Sequence, residues 1–247
     1  MIVTNAHLIN SGELPELESK NSDFFFLTRA NDDDIAKTIA SLCVNRLPKT
    51  YGPDILKGIQ VISPSKKGAA GTGMLNALLQ RALNPAGPDK REKKAGGVTL
   101  REGDKIMQIR NNYDIEWKKG NVQGVGIFNG DIGTVKTINS NAEQVIVDFD
   151  GREAVYDFTQ LDELEHAYAI TVHKSQGSEY PTVIIPIFDY TPRLLTRNLL
   201  YTAVTRAQHM AILVGRPDVV AGMVNNNLRA NRFTGLSYIL KKYGAVL

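Results

Sequence analysis

The sequence predicts an α/β fold, a parallel sheet covered by helices and interrupted by a small β-barrel. Three observations predict it. Strand-like and helix-like runs alternate from Phe24 to about Pro85. From there to "LDELEH" (161–166) the rhythm changes to short alternating runs broken by tight turns, and after His166 the strand and helix alternation returns.

Each element has its own signal. "DFFFLTR" (23–29) is a short apolar run of buried-strand type. "NDDDIAKTIASLCVNRL" (31–47) has helical apolar spacing, with Asn31 or Asp32 as cap and acids in the first turn, where the helix dipole favours them. "IQVISP" is a second strand, and "GTGMLNALLQRALN" a second helix that Pro85 stops. Strand, helix, strand, helix is the signature of a parallel sheet. Next come "GDKIMQIRNNY", "GVGIFNGDIGTVKTI", "QVIVDFDG" and "REAVYDF", punctuated by "NGD", "NSN" and "DG". Four or five such strands over about 65 residues predict a small barrel. "AYAITV", "TVIIPI" and "MAILVG" then read as strands, and "LLTRNLLYTAVTRA" and "PDVVAGMVNNN" as helices. The expected division is 1–92 for the first segment of the α/β domain, 93–163 for the barrel and 164–247 for the second segment.

Composition narrows the function classes. The chain has 247 residues, 43% hydrophobic and 22% charged, enough to bury a sizeable core. One cysteine excludes an intramolecular disulfide, and four scattered histidines show no metal-ligand spacing, so no metal site is expected and the cytoplasm is the default compartment. The longest apolar stretches, "DFFFL" and "TVIIPIF", are far short of a membrane span. The formal charge is only +3, but positive residues cluster in "SPSKKG", "DKREKK" and "EWKKG", which permits polyanion binding without requiring it.

"HAYAITVHKSQGSEYPTVIIPI" followed by "RNLLYTAVTRAQHMAILVG" resembles motifs V and VI of superfamily 1 DNA helicases, closest in wording to the RecD/TraA type (exodeoxyribonuclease V alpha subunit-like). "VISPSKKGAAGTGMLNALLQRALNP" resembles the motif IV region, the barrel resembles the SH3-like insertion of that group, and "IVTNAHLINSGELP" resembles the stretch after motif III. The resemblance implies the second RecA-like motor domain, a parallel sheet with helices on both faces, of a motor that moves 5′ to 3′ on single-stranded DNA in recombination, repair or conjugation. Such a motor needs a GxxxxGK[ST] loop and an acidic Mg²⁺ site, and neither motif occurs here; "GAAGTG" (68–73) lacks the Lys-Ser/Thr and opens an amphipathic helix. The expectation is therefore the C-terminal half of a motor. ATP and Mg²⁺ serve the complete protein and no cofactor is held by this chain alone. The implied partners are single-stranded DNA, a first RecA-like domain of the same parent and other nuclease–helicase subunits, with no membrane.

The resemblance also assigns residues. Arg206 in "YTAVTRA" is the arginine finger, a guanidinium delivered to the charge that develops on the γ-phosphoryl oxygens. Lys67 matches the basic position of motif IV and faces phosphate, with Lys66 beside it as an equal in chemistry. Thr171, His173, Lys174, Ser175 and Gln176 lie toward the nucleic-acid backbone, where hydroxyl, imidazole, ammonium and amide groups can bond phosphate and sugar without reading sequence. Gly177 lets the main chain approach closely, and Glu179 lies on the nucleotide side, at the ribose. Residue chemistry alone leaves His173 open as a core histidine and Gln176 as a turn cap. In the barrel, Tyr113, Trp117 and Phe128 with Arg110, Lys118 and Lys119 could offer a stacking face, but aromatics in a small barrel are more often core, and core is the expectation for Tyr113 and Phe128. Two other readings fit the residues: a motor-dead adaptor for nucleic acid or protein, and an RNA helicase of the same superfamily.

Overall fold

The computed structural model describes residues 1–18, 22–189, 191–228, 235 and 239–240. The chain opens with helix α1 (Ile2–Ser11), which has no counterpart in the sequence reading. Its buried Ile2, Asn5, Ala6 and Ile9 fall on one helical face, but polar Thr4, Asn5 and Asn10 interrupt the apolar pattern, so propensity alone does not announce it.

Strand β1 (Phe24–Thr28) leads into α2 (Asp32–Ser41), and Asn31 caps that helix by accepting the amide of Asp34 at 2.9 Å. The helix passes through one π turn (Leu42–Arg46) into α3 (Leu47–Tyr51), so the expected single helix is longer and irregular. A short α4 (Ile55–Gly58), β2 (Ile59–Ser63) and α5 (Thr72–Leu83) follow, the last stopping at Asn84 just before Pro85. Hairpin β3–β4 (Glu92–Ala95, Val98–Arg101) precedes the antiparallel sheet: β5 (Lys105–Gln108), β6 (Asn112–Lys119), β7 (Val122–Ile127), β8 (Ile132–Asn139), β9 (Gln144–Phe149), β10 (Arg152–Asp157) and β11 (Leu164–His166). The chain then returns with β12 (Ala169–Thr171), a 3₁₀ turn (Val172–Ser175), β13 (Tyr180–Ile187), α6 (Arg197–Val204), β14 (Ala207–Gly215) and α7 (Pro217–Asn225).

The first sheet is wholly parallel, in the order β1-β14-β13-β2-β12. Its strands are apolar on both faces, as a sheet covered on both sides requires. Val183, Ile185, Ile187 and Leu213 pack with α1, α6 and α7, whereas Ile184, Ile212 and Val214 pack with α2 and α5. The second sheet, β11-β5-β8-β9-β10-β6-β7, packs around Ile106, Ile127, Val135, Val147, Phe149 and Tyr156. Asn129-Gly130 forms the expected turn, closed by the amide of Asp131 on the carbonyl of Phe128 at 3.0 Å. Among the described residues no helix is long and apolar enough to cross a membrane.

The expectation of a core position fails for two barrel aromatics. Tyr113 is 65% exposed and Phe128 41% exposed. The barrel core is already filled by Phe149, Tyr156 and branched aliphatics, which leaves no interior site for them. Lys118 and Lys119 do not flank this pair either, because Lys119 pairs with Val122 at the far end of the β6–β7 hairpin while Asn112 pairs with Ile127 at the near end. Trp117 is half-buried against the core, with the Arg152 guanidinium 5.8 Å from its ring centre.

The two sheets are joined by a buried polar cluster. The Asp104 carboxylate accepts Gln80 Nε2 at 2.6 Å, the Arg101 amide at 2.7 Å, Asn84 Nδ2 at 2.7 Å and the Tyr168 hydroxyl at 3.0 Å, and lies 3.1 Å from His166 Nε2. Gln80 and Asn84 come from the end of α5, so this carboxylate ties the helix to the barrel. Burial alone would raise the Asp104 carboxyl. Hydrogen bonds from His166 and Asn84, with attraction to the imidazole and the Arg101 amide, outweigh it and hold the group below the ordinary carboxylate range.

Candidate nucleic-acid and nucleotide interface

The segment 171–179 connects two parallel strands of one sheet and therefore crosses from the carboxyl end of β12 to the amino end of β13. Its shape is set from within. Thr171 caps the 3₁₀ turn by accepting the amide of Lys174 at 3.4 Å, and Val172 is buried beside α6. Ser175 is fully buried, and its hydroxyl donates to the carbonyl of Val172 at 2.8 Å. Ser175 therefore holds the turn, in place of the outward contact its motif position implies. Gly177 has φ +84 and open space where a Cβ would sit, so the need for glycine is the left-handed turn rather than crowding.

What remains outward is polar. His173 and Gln176 are exposed, and with Lys174, Gly177 and Ser178 they line a cavity of about 540 Å³ whose opposite wall is the barrel turn Asn129–Asp131. His173 and Gln176 also border a second cavity, of about 180 Å³, against Asn198 and Thr202 of α6. His173 is thus a surface group and not a core one. Asp131 is neutralised in place, with Arg152 Nη2 at 3.3 Å and the Phe128 amide at 3.1 Å.

Lys174 is not a free cation. Its ammonium lies 2.7 Å from Glu165, and Lys66 approaches the other carboxylate oxygen at 3.5 Å. Burial tends to raise the Glu165 carboxyl, but the hydrogen bond and charge of Lys174, with Lys66 behind them, leave it below its ordinary value. Sequence reasoning missed Glu165. Its only signal was an acid in a short strand nine residues before Lys174.

Arg206 follows α6 in a turn before β14. Its guanidinium donates to the carbonyls of Ser178 (Nη1, 3.0 Å) and Thr202 (Nε, 3.3 Å) and to Thr205 Oγ1 (Nη2, 3.4 Å), while the amide of Tyr180 donates to its carbonyl at 2.8 Å. Glu179 is exposed beside it and accepts Gln208 Nε2 at 3.3 Å. Glu179 and Arg206 therefore stand together at the amino ends of β13 and β14. The structure does not bring Lys67 to them: this exposed lysine sits on the loop leaving the carboxyl end of β2. Among the described residues no group of three or more His, Cys, Asp or Glu is placed to hold a metal ion.

Comparison with known proteins finds two family matches along the chain. Residues 75–149 match the ATP-dependent RecD-like DNA helicase SH3 domain, and residues 166–214 match the UvrD-like helicase C-terminal domain. The chain is 34% identical over 212 residues to the ATP-dependent RecD2 DNA helicase of Deinococcus radiodurans, covering 84% of this chain and 26% of that protein. It is 31% identical over 185 residues to the RecBCD enzyme subunit RecD of Mycolicibacterium smegmatis, covering 75% of this chain and 30% of the relative. The chain thus spans about a quarter of the length of the curated relatives it matches. Among solved structures, Pif1 helicase from Bacteroides in complex with ADP-AlF3 and ssDNA aligns with TM-score 0.52 at 16% identity, covering 99% of this chain and 54% of that one, a likeness of fold. With both domain types in order and RecD relatives matching most of its length, the chain is similar to the part of RecD-like DNA helicases that carries these two domains.

Proposed function

We propose that the chain supplies the second motor domain, with its SH3-like insertion, of an ATP-dependent helicase that moves 5′ to 3′ on single-stranded DNA. One observation carries the reading. The loop whose outer side presents His173 and Gln176 to an open cavity is bonded, seven residues or fewer away, to the guanidinium and carbonyl of Arg206. A motor must link nucleotide state to its grip on a strand, and one short loop in contact with both groups is a physical means to that coupling.

In this reading His173, Lys174 and Gln176 bond phosphate and sugar, Thr171 and Ser175 hold the turn that aims them, and Gly177 lets the main chain approach the nucleotide. Glu179 faces the nucleotide ribose, and Arg206 exchanges its carbonyl partners for the γ-phosphoryl oxygens when a first RecA-like domain closes. The first domain of the parent supplies the phosphate cradle and the Mg²⁺ ligands, and RecD relatives that are subunits of RecBCD make other nuclease–helicase subunits natural partners.

The test is DNA-stimulated ATP turnover of the full-length parent, wild type against His173→Ala and Arg206→Ala. The reading requires that His173→Ala raise the DNA concentration needed for half-stimulation and that Arg206→Ala lower kcat. A parent whose turnover ignores single-stranded DNA refutes it.

A further inference from the structure

We propose that Tyr113 and Phe128 form a stacking platform for the bases of the strand whose backbone the 171–178 loop contacts; the inference rests on that reading of the loop. The two rings stand edge to face, 5.6 Å apart at 70°, on the outer side of the β6–β7 hairpin. Both are exposed and neither belongs to the barrel core, and β7 is the last strand of its sheet. Two large exposed rings in contact leave apolar faces in water that a flat partner would cover.

Their placement is built. Phe128 closes on Gly126, where φ is +98 and a Cβ would lie 3.0 Å from the ring, so glycine lets the ring rest on the strand. The backbone amide of Asn129 donates to Asn111 Oδ1 at 2.9 Å, and Asn111 Nδ2 lies 3.5 Å from the Tyr113 hydroxyl, so one asparagine side chain links the two aromatic segments. Phe128 immediately precedes the turn Asn129–Asp131, which is one wall of the 540 Å³ cavity faced by His173, Lys174 and Gln176. Neither ring lines that cavity, but Phe128 is joined through the chain to its barrel wall, which places the aromatic pair next to the turn that faces the loop.

That juxtaposition selects the occupant. An apolar peptide segment would cover the rings but offer nothing to the exposed imidazole of His173 and side-chain amide of Gln176. A single nucleic-acid strand presents anionic phosphates along one side and flat bases along the other, and stacking tolerates any base because every base has a π face.

The test compares two probes of equal length and phosphate count, fluorescein-labelled oligothymidylate and an oligomer of the same length with abasic sites throughout, titrated with the chain by anisotropy. Wild type should bind the base-bearing strand more tightly. Tyr113→Ala/Phe128→Ala should lose about tenfold or more on oligothymidylate, the scale of one lost stacked base, and little on the abasic strand. His173→Ala should weaken both. Phe128→Leu, which keeps apolar bulk, should lose base preference while its melting curve stays native, whereas Phe128→Tyr should keep it. Equal losses of the double variant on both probes, no loss on either, or no base preference in wild type overturns the platform while leaving the backbone contacts standing. A wild-type chain that binds neither probe overturns both. Full affinity of the double variant for oligothymidylate, with loss of binding to the parent's first motor domain, would mean that the rings dock protein.

Discussion

The guanidinium of Arg206 and the carbonyl of Ser178 meet at 3.0 Å, joining the end of α6 to the loop that precedes β13. On the proposed role, Arg206 must release these carbonyls to reach a phosphate, so its contributions to folding and to turnover separate experimentally.

In the parent, Arg206→Ala is expected to lower kcat by roughly 10³–10⁵ while nucleotide affinity changes little, because a group that arrives only on closure acts on the transition state. Losing its carbonyl contacts costs about 1 kcal/mol, a shift of roughly 2–4 °C in melting temperature. Arg206→Lys should rescue turnover poorly, since an ammonium lacks the planar fork. Steady-state kinetics beside thermal melting decide it, and near-normal kcat in a folded variant would make this residue structural.

Glu165 holds Lys66 and Lys174 together, so removing its charge should release both toward a polyanion. Glu165→Gln is expected to tighten single-stranded DNA binding several-fold at low salt and to steepen the logarithmic salt dependence by about 1. The same release should occur on acidification. The Glu165 carboxyl is depressed in the folded chain, so its pairing is complete above the ordinary glutamate range and fades as pH falls through the lower folded value. A salt slope unchanged in Glu165→Gln would show that the lysines do not face the strand.

Asp104→Asn should destabilise the chain by about 3 kcal/mol, because an amide must turn a donor toward some of the five donors now facing the carboxylate. That corresponds to roughly 6–12 °C in melting temperature. The folded Asp104 is also depressed, so its stabilisation is present above about pH 4 and is lost as pH falls through the folded value. Acid melts of the variant should therefore be flatter than those of wild type in that range; parallel curves would remove Asp104 from the account.

The 247-residue chain alone should show no DNA-stimulated ATP hydrolysis, since its sequence has no GxxxxGK[ST] loop to hold the phosphates. A coupled phosphate-release assay measures this directly, and turnover that copurifies with the chain and disappears in Arg206→Ala would contradict it.

The parallel sheet was legible because its strands are short apolar runs with turn and cap signals between them, as Asn31 and Pro85 show. α1 was not, because its buried Asn5 breaks the apolar stripe and its support comes from packing against α6 and β14. At the site, sequence similarity located the loop 171–179 but could not tell which side chains face inward. Ser175 and His173 are two residues apart and differ only in which side of one turn they occupy. The exposure of Tyr113 and Phe128 was invisible for a related reason: side-chain period says which residues share a face, not whether anything covers that face.

The order of strands in the parallel sheet sets a problem of timing. β1 and β2, made first, never touch each other; Phe24 is in register with Ala211, and Val61 with Ala169 and Ile184. In the barrel, by contrast, three of the six strand pairings, β6–β7, β8–β9 and β9–β10, join sequence neighbours. Distant pairings form slowly, because loop closure precedes any reward. On a ribosome the insertion can finish folding while the surrounding sheet still waits, with the apolar strands "FFFLT" and "IQVIS" open to wrong partners until the last third of the chain emerges. The small barrel is then the early scaffold, and the large domain that encloses it is assembled last.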